Sequence, residues 1–485
     1  MQDNLRTRMG WLHAWVGFIA GLLLFCVFVT GSLAVFDTEL TRWLQPEIPP
    51  EAPAFSPQSL DHTLPVVHEL LVQGEKPFIT LPSQRDPFLR VQHHDGYEFL
   101  TIPYNPQTGE LLQARDTAGG KFFYDLHYTL RTGIYGATLI AAAGLALLVT
   151  VGSGIIIHLR GLVSDLLLVR PFASRLRAWL DVHVLASVPF IPFVIMMAYT
   201  GTFIRARTLF PPVSYISSIH NIVSPHPTEL VPPKKKREFP VSPSLPPLLQ
   251  EAEKTLGKDQ TSFILFLPQS LLFSRLDMSV PRLKGEHVDF SPVDGHFLRH
   301  VLLSTPVTKT QQLMEGIHYA RWTGPGLRWL YFLSGIMGAV MFAGGSIIFL
   351  MKRRKMSGLR VIFRVAEGLT IGFIPGFLLA TLAFFWANRL LPISLPERHL
   401  AEVHCFFTIW ALCTVTGLIW SLLHHSRRGW RMQLSALAFL SICLTPLDFF
   451  TRPGASIFHA PTVFAATDLC ALFLGLVTLE MVRRL

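Results

Sequence analysis

Leu126-His127-Tyr128-Thr129-Leu130-Arg131-Thr132-Gly133 returns further along the chain as Ile317-His318-Tyr319-Ala320-Arg321-Trp322-Thr323-Gly324. Working outward, each copy is followed by a long apolar run, about 134–158 and about 327–351. Each is also preceded, at a distance, by another, about 11–36 and about 183–204. His13 precedes Gly31, within Thr30-Gly31-Ser32, by the same interval at which His183 precedes Gly201, within Thr200-Gly201-Thr202. His127 likewise precedes Gly154 by the same, longer interval that separates His318 from Gly345. Residues 1–355 therefore read as two copies of one unit: helix, long outer segment, helix. Copies that run the same way relate through a pseudo-two-fold axis along the membrane normal. Twin histidines on such an axis face each other in two layers, one at each membrane face.

The composition agrees with a membrane protein. Of 485 residues, 50% are apolar and only 15% are charged, with a mean hydropathy of +0.40. Soluble domains carry about 25% charged residues, so a conventional soluble enzyme and a disordered chain are both excluded. Eight apolar runs are long enough to span a bilayer: about 11–36, 134–158, 183–204, 327–351, 365–388, 403–424, 433–450 and 462–482. The first carries Arg6 and Arg8 ahead of it, is too long for a signal-peptide core, and reads as an uncleaved span.

The net charge of +10 raises the question of nucleic acid, which the placement of the charges answers. Seventeen basic residues mark five short segments on one side: Arg6 and Arg8; Arg160, Arg170, Arg175 and Arg177; Lys352 to Lys355 with Arg360 and Arg364; Arg427, Arg428 and Arg431; Arg483 and Arg484. The short loops of the other side, about 389–402 and 451–461, carry few. That bias places both termini inside, and no nucleic-acid partner is needed. The Lys234-Lys235-Lys236-Arg237 run falls in a long outer segment and reads as a solvated loop.

The expected organisation is a first span over 1–36, an outer domain over 37–126, two spans over 127–204, a second outer domain over 205–317, a fourth span over 318–355, and a four-helix extension over 356–485. In the first outer domain, Pro87–Val91 and Tyr97–Ile102 flank His93-His94-Asp95-Gly96 as a hairpin, and Asn105–Gly109 turns into Glu110-Leu111-Leu112. In the second, Glu286–Phe290 and His296–Leu298 flank Ser291–Gly295. Stretches 59–73 and 245–256 look helical. Each outer segment thus reads as its own small α+β domain.

Five cysteines, Cys26, Cys405, Cys413, Cys443 and Cys470, all lie in or beside apolar runs and suggest no disulfide framework or CxxC motif. No Walker loop, GxGxxG, HExxH or GxSxG motif is present. The chemistry rests on the histidines. Two imidazoles on opposite sides of a flat macrocycle give bis-histidine haem ligation, and with no CxxCH the haem is b-type. The expected ligands are His13 with His183 and His127 with His318. His158 is a fifth candidate, as an alternative ligand in the first layer or a propionate contact. Zinc competes, but needs three or four ligands together, and the cysteines lie elsewhere. His404, His424 and His425 fall outside the repeat, and His93, His94, His287, His296 and His300 read as ordinary exposed residues.

The chain resembles the PepSY-associated transmembrane helix family of bacterial inner-membrane proteins, which includes iron-regulated proteins and ferric-siderophore reductases. The resemblance rests on Trp11-Leu12-His13, Leu126-His127-Tyr128, Gly154–His158, Trp179-Leu180-Asp181-Val182-His183, Tyr199-Thr200-Gly201, Ile317–Arg321 and Arg328–Phe332. Phe385–Pro392 and Glu402–Phe407 extend it to the longer members. It implies haem b in the bundle, PepSY-like folds outside on the periplasmic side, and electron delivery to ferric siderophores. Longer members often carry a further histidine after Pro-Phe in the third helix, where this chain has Pro192-Phe193-Val194.

The leading expectation is a polytopic α-helical protein of the bacterial cytoplasmic membrane. It would hold two haems b, draw electrons from quinol or a cytoplasmic reductase, and reduce a ferric siderophore or other ferric chelate outside. A non-redox protein whose outer domains regulate a protease or capture a ligand is one alternative. A transporter of an iron complex is another, although the sequence suggests no broken-helix pair near mid-membrane.

Overall fold

The computed structural model describes residues 5–94, 99–158, 170, 174–209, 242–275, 286–302, 305–452 and 462–485. The Lys234–Arg237 run, Arg160 and the Asp95-Gly96 turn lie outside the described residues.

Among them, eight spans are long and apolar enough to cross a membrane. The protein is a polytopic helical membrane protein. In chain order the helices are α1 (Leu5–Ala34), α2 (Asp37–Trp43), α3 (Leu64–Val72), α4 (Lys121–Thr129), α5 (Ile134–His158), α6 (Arg175–Ser187), α7 (Ile191–Ile204) and the single turn α8 (Ala206–Leu209). They continue with α9 (Leu245–Leu256), α10 (Pro306–Tyr319), α11 (Pro325–Ser357), α12 (Val361–Phe373), α13 (Pro375–Leu390), α14 (Arg398–Leu422), α15 (Ser426–Thr451) and α16 (Thr462–Arg484).

Four spans form a closed ring: α1 packs on α5 and α11, α5 on α7, and α11 on α6. Small residues let the backbones approach. Gly338 lies against the Phe28 ring, Gly335 lies against Ser32, and the Ser32 hydroxyl donates to the Phe28 carbonyl at 2.8 Å. The last four spans pack as a second group, α12 on α14, α13 on α14 and α15, and α15 on α16.

Two spans are interrupted, where the sequence suggested unbroken runs. The third bends through a 3₁₀ turn at Val188–Phe190 between α6 and α7, and the fifth breaks at Ile374 between α12 and α13. Proline is the cause in both, Pro189 and Pro192 in the first and Pro375 in the second. A proline ring removes an N–H and clashes with the preceding turn.

Beyond the C-terminal end of α1 and the N-terminal end of α5 lies a sheet. The two outer segments, expected as separate units, build it together. Its strands are β1 (Phe78–Thr80), β2 (Leu89–His94), β3 (Phe99–Tyr104), β4 (Thr261–Leu267), β5 (Ser270–Arg275), β6 (His287–Phe290) and β7 (Phe297–Val301). The order is β3-β2-β1-β4-β5-β6-β7, antiparallel throughout. The seam is β1 against β4, with Ile79 opposite Ile264. Neither β1 nor β4 could supply a sheet alone, since isolated short ribbons are marginal in water.

Helix α9 buries Leu245, Leu248, Leu249, Ala252 and Leu256, the i, i+3, i+4 spacing of one helical face, and α3 buries Val67, Leu70 and Leu71. These meet Val91, Ile264, Phe266 and Phe273 of the sheet in a single apolar core. Each fully buried leucine there contributes about 2 kcal/mol relative to exposure.

A two-level histidine site

His13 and His183 stand side by side, ring centres 6.2 Å apart with planes at 79°. His127 and His318 do the same on the sheet side, 6.2 Å apart with planes at 32°. The levels are well separated. Gly31, which seats His127, lies on the same continuous helix α1 as His13, about five turns further along. At a rise of about 1.5 Å per residue that is about 27 Å, close to the roughly 30 Å hydrocarbon thickness.

Each ring rests on a glycine. A Cβ built on Gly31 would lie 2.8 Å from Cε1 of His127, and one on Gly201 3.0 Å from Cε1 of His318. A Cβ on Gly154 would lie 3.0 Å from Cε1 of His13, and one on Gly345 3.3 Å from Cε1 of His183. No side chain beyond hydrogen fits beneath these rings without displacing them.

Each Nδ1 is tied down. His13 Nδ1–H donates to the Thr150 carbonyl at 2.9 Å, His183 to the Met341 carbonyl at 2.8 Å, and His127 to the Val27 carbonyl at 2.8 Å. His318 differs, meeting the Thr200 hydroxyl at 2.9 Å. That hydroxyl spends its own proton on the Met196 carbonyl at 2.7 Å, so it accepts from His318. The network assigns Nδ1 as protonated in all four rings and leaves Nε2 with its lone pair. Among the described residues no Nε2 of the four has a hydrogen-bond partner. For the sheet-side pair, burial pushes His318 down to about 3, with His127 and Arg205 adding to the effect, and burial also lowers His127. Both are neutral at pH 7.

The 6.2 Å between ring centres is also ordinary for aromatic pairs. The same spacing would also let the two imidazoles of one level hold a single metal centre through Nε2. The fixed Nδ1 atoms and unpartnered Nε2 atoms are what distinguish these rings from a plain stacked pair, since ligating histidines characteristically donate their other N–H.

The sheet-side pair opens onto a cavity of about 1300 Å³, its mouth included, lined by Phe28, Leu147, Phe193 and Tyr331 with His127 and His318. Neither interrupted span lines it at its break. Phe193 lines the cavity, whereas Val194 is buried in the apolar core. Among the described residues no group of three or more His, Cys, Asp or Glu side chains converges.

His158 ends α5 one turn beyond Gly154, near enough to His13 and His183 for its charge to act on both. His404, His424 and His425 are exposed on the second helix group. His94, His287, His296 and His300 lie on or beside the outer sheet, His296 and His300 exposed and His94 and His287 half-buried. His93, expected to be exposed, is buried and paired with Glu75 inside the outer layer. Its place on β2 beside a carboxylate of a preceding loop gave no periodic signal.

Sequence reasoning missed a clamp on the segment that leads into α4. Glu402 on α14 is fully buried and accepts from the Thr117 hydroxyl at 2.7 Å, the Ala118 amide at 3.2 Å, Asn388 Nδ2 at 2.7 Å and Arg398. Arg398 also donates to the Asp116 carbonyl at 2.9 Å, and His399 meets the Asp116 carboxylate at 2.5 Å. Arg115 donates to the Asn388 carbonyl. Of the charges in 389–402, Arg389, Arg398 and Glu402 are therefore buried partners rather than surface markers, while Glu397 is exposed. Beyond the clamp, Phe122 stacks on Phe384 at 4.7 Å and 10° and meets Phe406 edge-on.

Fold and site together define a class: a polytopic helical membrane protein with histidine pairs at two levels of its bundle and an antiparallel sheet beyond one end. The family described as PepSY-associated TM region matches residues 10–352, and the chain belongs to it. Comparison with curated proteins gives no match.

Proposed function

We propose that the protein holds haem b at both levels and carries electrons across the cytoplasmic membrane to a ferric chelate, such as a ferric siderophore, on the sheet side. The observation that carries this reading is the set of four histidines, each seated on a glycine, each with Nδ1 fixed and Nε2 unpartnered. Residues 1–355 are read as two parallel repeats, the outer segments as PepSY-like folds, and the termini as cytoplasmic.

In this reading His13 and His183 would bind one haem and His127 and His318 the other, with His158 beside the first. Haem b supplies one-electron redox chemistry at each level. The protein does the rest. The carbonyls of Thr150, Met341 and Val27 and the hydroxyl of Thr200 keep the imidazoles in one tautomer and strengthen them as donors. The apolar lining excludes water from the sheet-side pair. The chelate is the substrate: each Fe(III) gains one electron to become Fe(II), which hard oxygen ligands hold more weakly. The donor is quinol or a cytoplasmic reductase.

The test is an ultraviolet–visible spectrum of the purified chain before and after dithionite. Soret and alpha bands with two haems per chain are expected, together with trapping of Fe(II) from a ferric chelate. A colourless, haem-free chain that retains its cellular function would sink the proposal.

A further inference from the structure

Two arginines line the sheet-side cavity. Arg205 caps α7 one turn beyond Gly201, the seat of His318, and Arg321 follows closely after His318 in the chain. Both line the cavity with His127 and His318. Arg205 lies 4.8 Å over the Tyr128 ring, and Arg321 lies 6.0 Å over Tyr124 and 5.9 Å over Tyr319. Their neighbours are thus aromatic faces. Among the described residues neither makes an ion pair. Asp37, the carboxylate that shares the cavity wall, is bonded to Lys121 at 2.6 Å and to Arg85 at 3.2 Å, and feels Arg321 only at longer range.

Three other arginines of this layer are neutralised by carboxylates. Arg85 and Arg328 both reach Glu39, and Arg115 meets Glu47 at 2.6 Å. Two cations with no ion-pair partner among the described residues, in the wall of a low-dielectric cavity, make a strong local field for an anion. The guanidinium fork matches a carboxylate better than any other common anion except phosphate. The site is also one-sided: Val35, the residue one turn beyond Gly31, is apolar.

We infer that Arg205 and Arg321 form a carboxylate-binding pair for a ligand seated in the sheet-side cavity. Arg205 and Arg321 line the same cavity as both imidazoles, which favours carboxylates attached to a macrocycle that those imidazoles would hold, the propionates of haem. That assignment rests on the function proposed above; the two unpaired cations do not. A carboxylate-bearing ferric chelate has the same recognition chemistry.

Two arms separate the sources. The full-length chain and its Arg205→Gln/Arg321→Gln double variant are stripped of haem and titrated with haem b and with haem dimethyl ester, whose propionates are blocked. If the propionates are held, the native chain prefers haem b at least tenfold over the ester, and the variant loses that preference. In the second arm both proteins are titrated with ferric citrate at low and high salt. If the chelate is held, haem uptake is unchanged while ferric citrate binding falls at least tenfold and loses its salt dependence. Identical behaviour of the two proteins in both arms overturns the pair. A native chain that takes up no haem overturns the proposed function, and the citrate arm then decides the pair alone. Arg205→Lys/Arg321→Lys keeps the charge without the fork, and gives the same comparison should the glutamine variant fail to fold.

Discussion

The two histidine levels look alike in spacing and differ in how they are held. His13 and His183 ride on α1 and α6, parts of the ring of spans, and both Nδ1 atoms bond main-chain carbonyls of neighbouring spans, on α5 and α11. Their position follows from helix packing alone. His127 and His318 ride on α4 and α10, short helices outside the spans, each ended by a left-handed residue, Leu130 or Ala320. Helix α4 is steadied from outside the ring by the Glu402 clamp and by the phenylalanines of α13 and α14. The clamp's holders lie beyond residue 352, where the family match stops. One level is thus built into the family core, and the other is finished by the C-terminal helices.

The largest test breaks one level at a time. His127→Ala and His13→Ala should each remove about half of the haem and spare the other level, given the roughly 27 Å between them. Loss of both haems from either variant would show that the levels are not independent. The glycine seats give a graded version. Gly31→Ala puts a methyl 2.8 Å from His127 Cε1, inside any real contact, whereas Gly345→Ala puts one 3.3 Å from His183 Cε1, which a small ring shift absorbs. Gly31→Ala should lose the sheet-side haem, and Gly345→Ala should keep the far-side haem with a shifted Soret band. Equal behaviour would mean that the seats are not steric.

Next comes the clamp. Glu402→Gln keeps the shape but removes the charge that four donors surround. Charge-assisted hydrogen bonds contribute roughly 1.5–3 kcal/mol each, and Arg398 is left buried without its partner. Thermal unfolding should begin at least several degrees lower, and the spectral change should appear at the sheet-side level only. A change confined to the far-side level would detach the C-terminal helices from α4.

Much of this contrast was readable in the chain. Apolar runs located every span to within several residues, because a bilayer demands length and apolarity and little else. The motif around His127 and His318, and the matched intervals from each histidine to its glycine, picked out side chains that the fold sets together. What escaped notice depends on pairings that leave no local period. The β1–β4 seam joins segments far apart in the chain. The clamp joins residues 115–118 to Glu402 and Arg398 across an even longer separation. Pro375 was visible, yet only tertiary packing decides whether a proline bends a span or breaks it.

The smallest effect concerns the one asymmetry among the four Nδ1 anchors. Thr200 replaces a carbonyl with a hydroxyl, a partner that can be removed without touching the backbone. Thr200→Val preserves shape and leaves the His318 N–H without an acceptor. An imidazole that donates from Nδ1 carries more negative charge on Nε2 and favours the more positive ferric state, so losing the bond should raise the sheet-side midpoint potential. A hydrogen bond contributing about 1 kcal/mol converts to roughly 40 mV for one electron. Thr200→Ser should restore the native value, since it keeps the hydroxyl. Redox titration resolving two midpoints would show one moving up and the other fixed. A shift in the far-side midpoint, or none in either, would mean that Thr200 does not set the properties of His318.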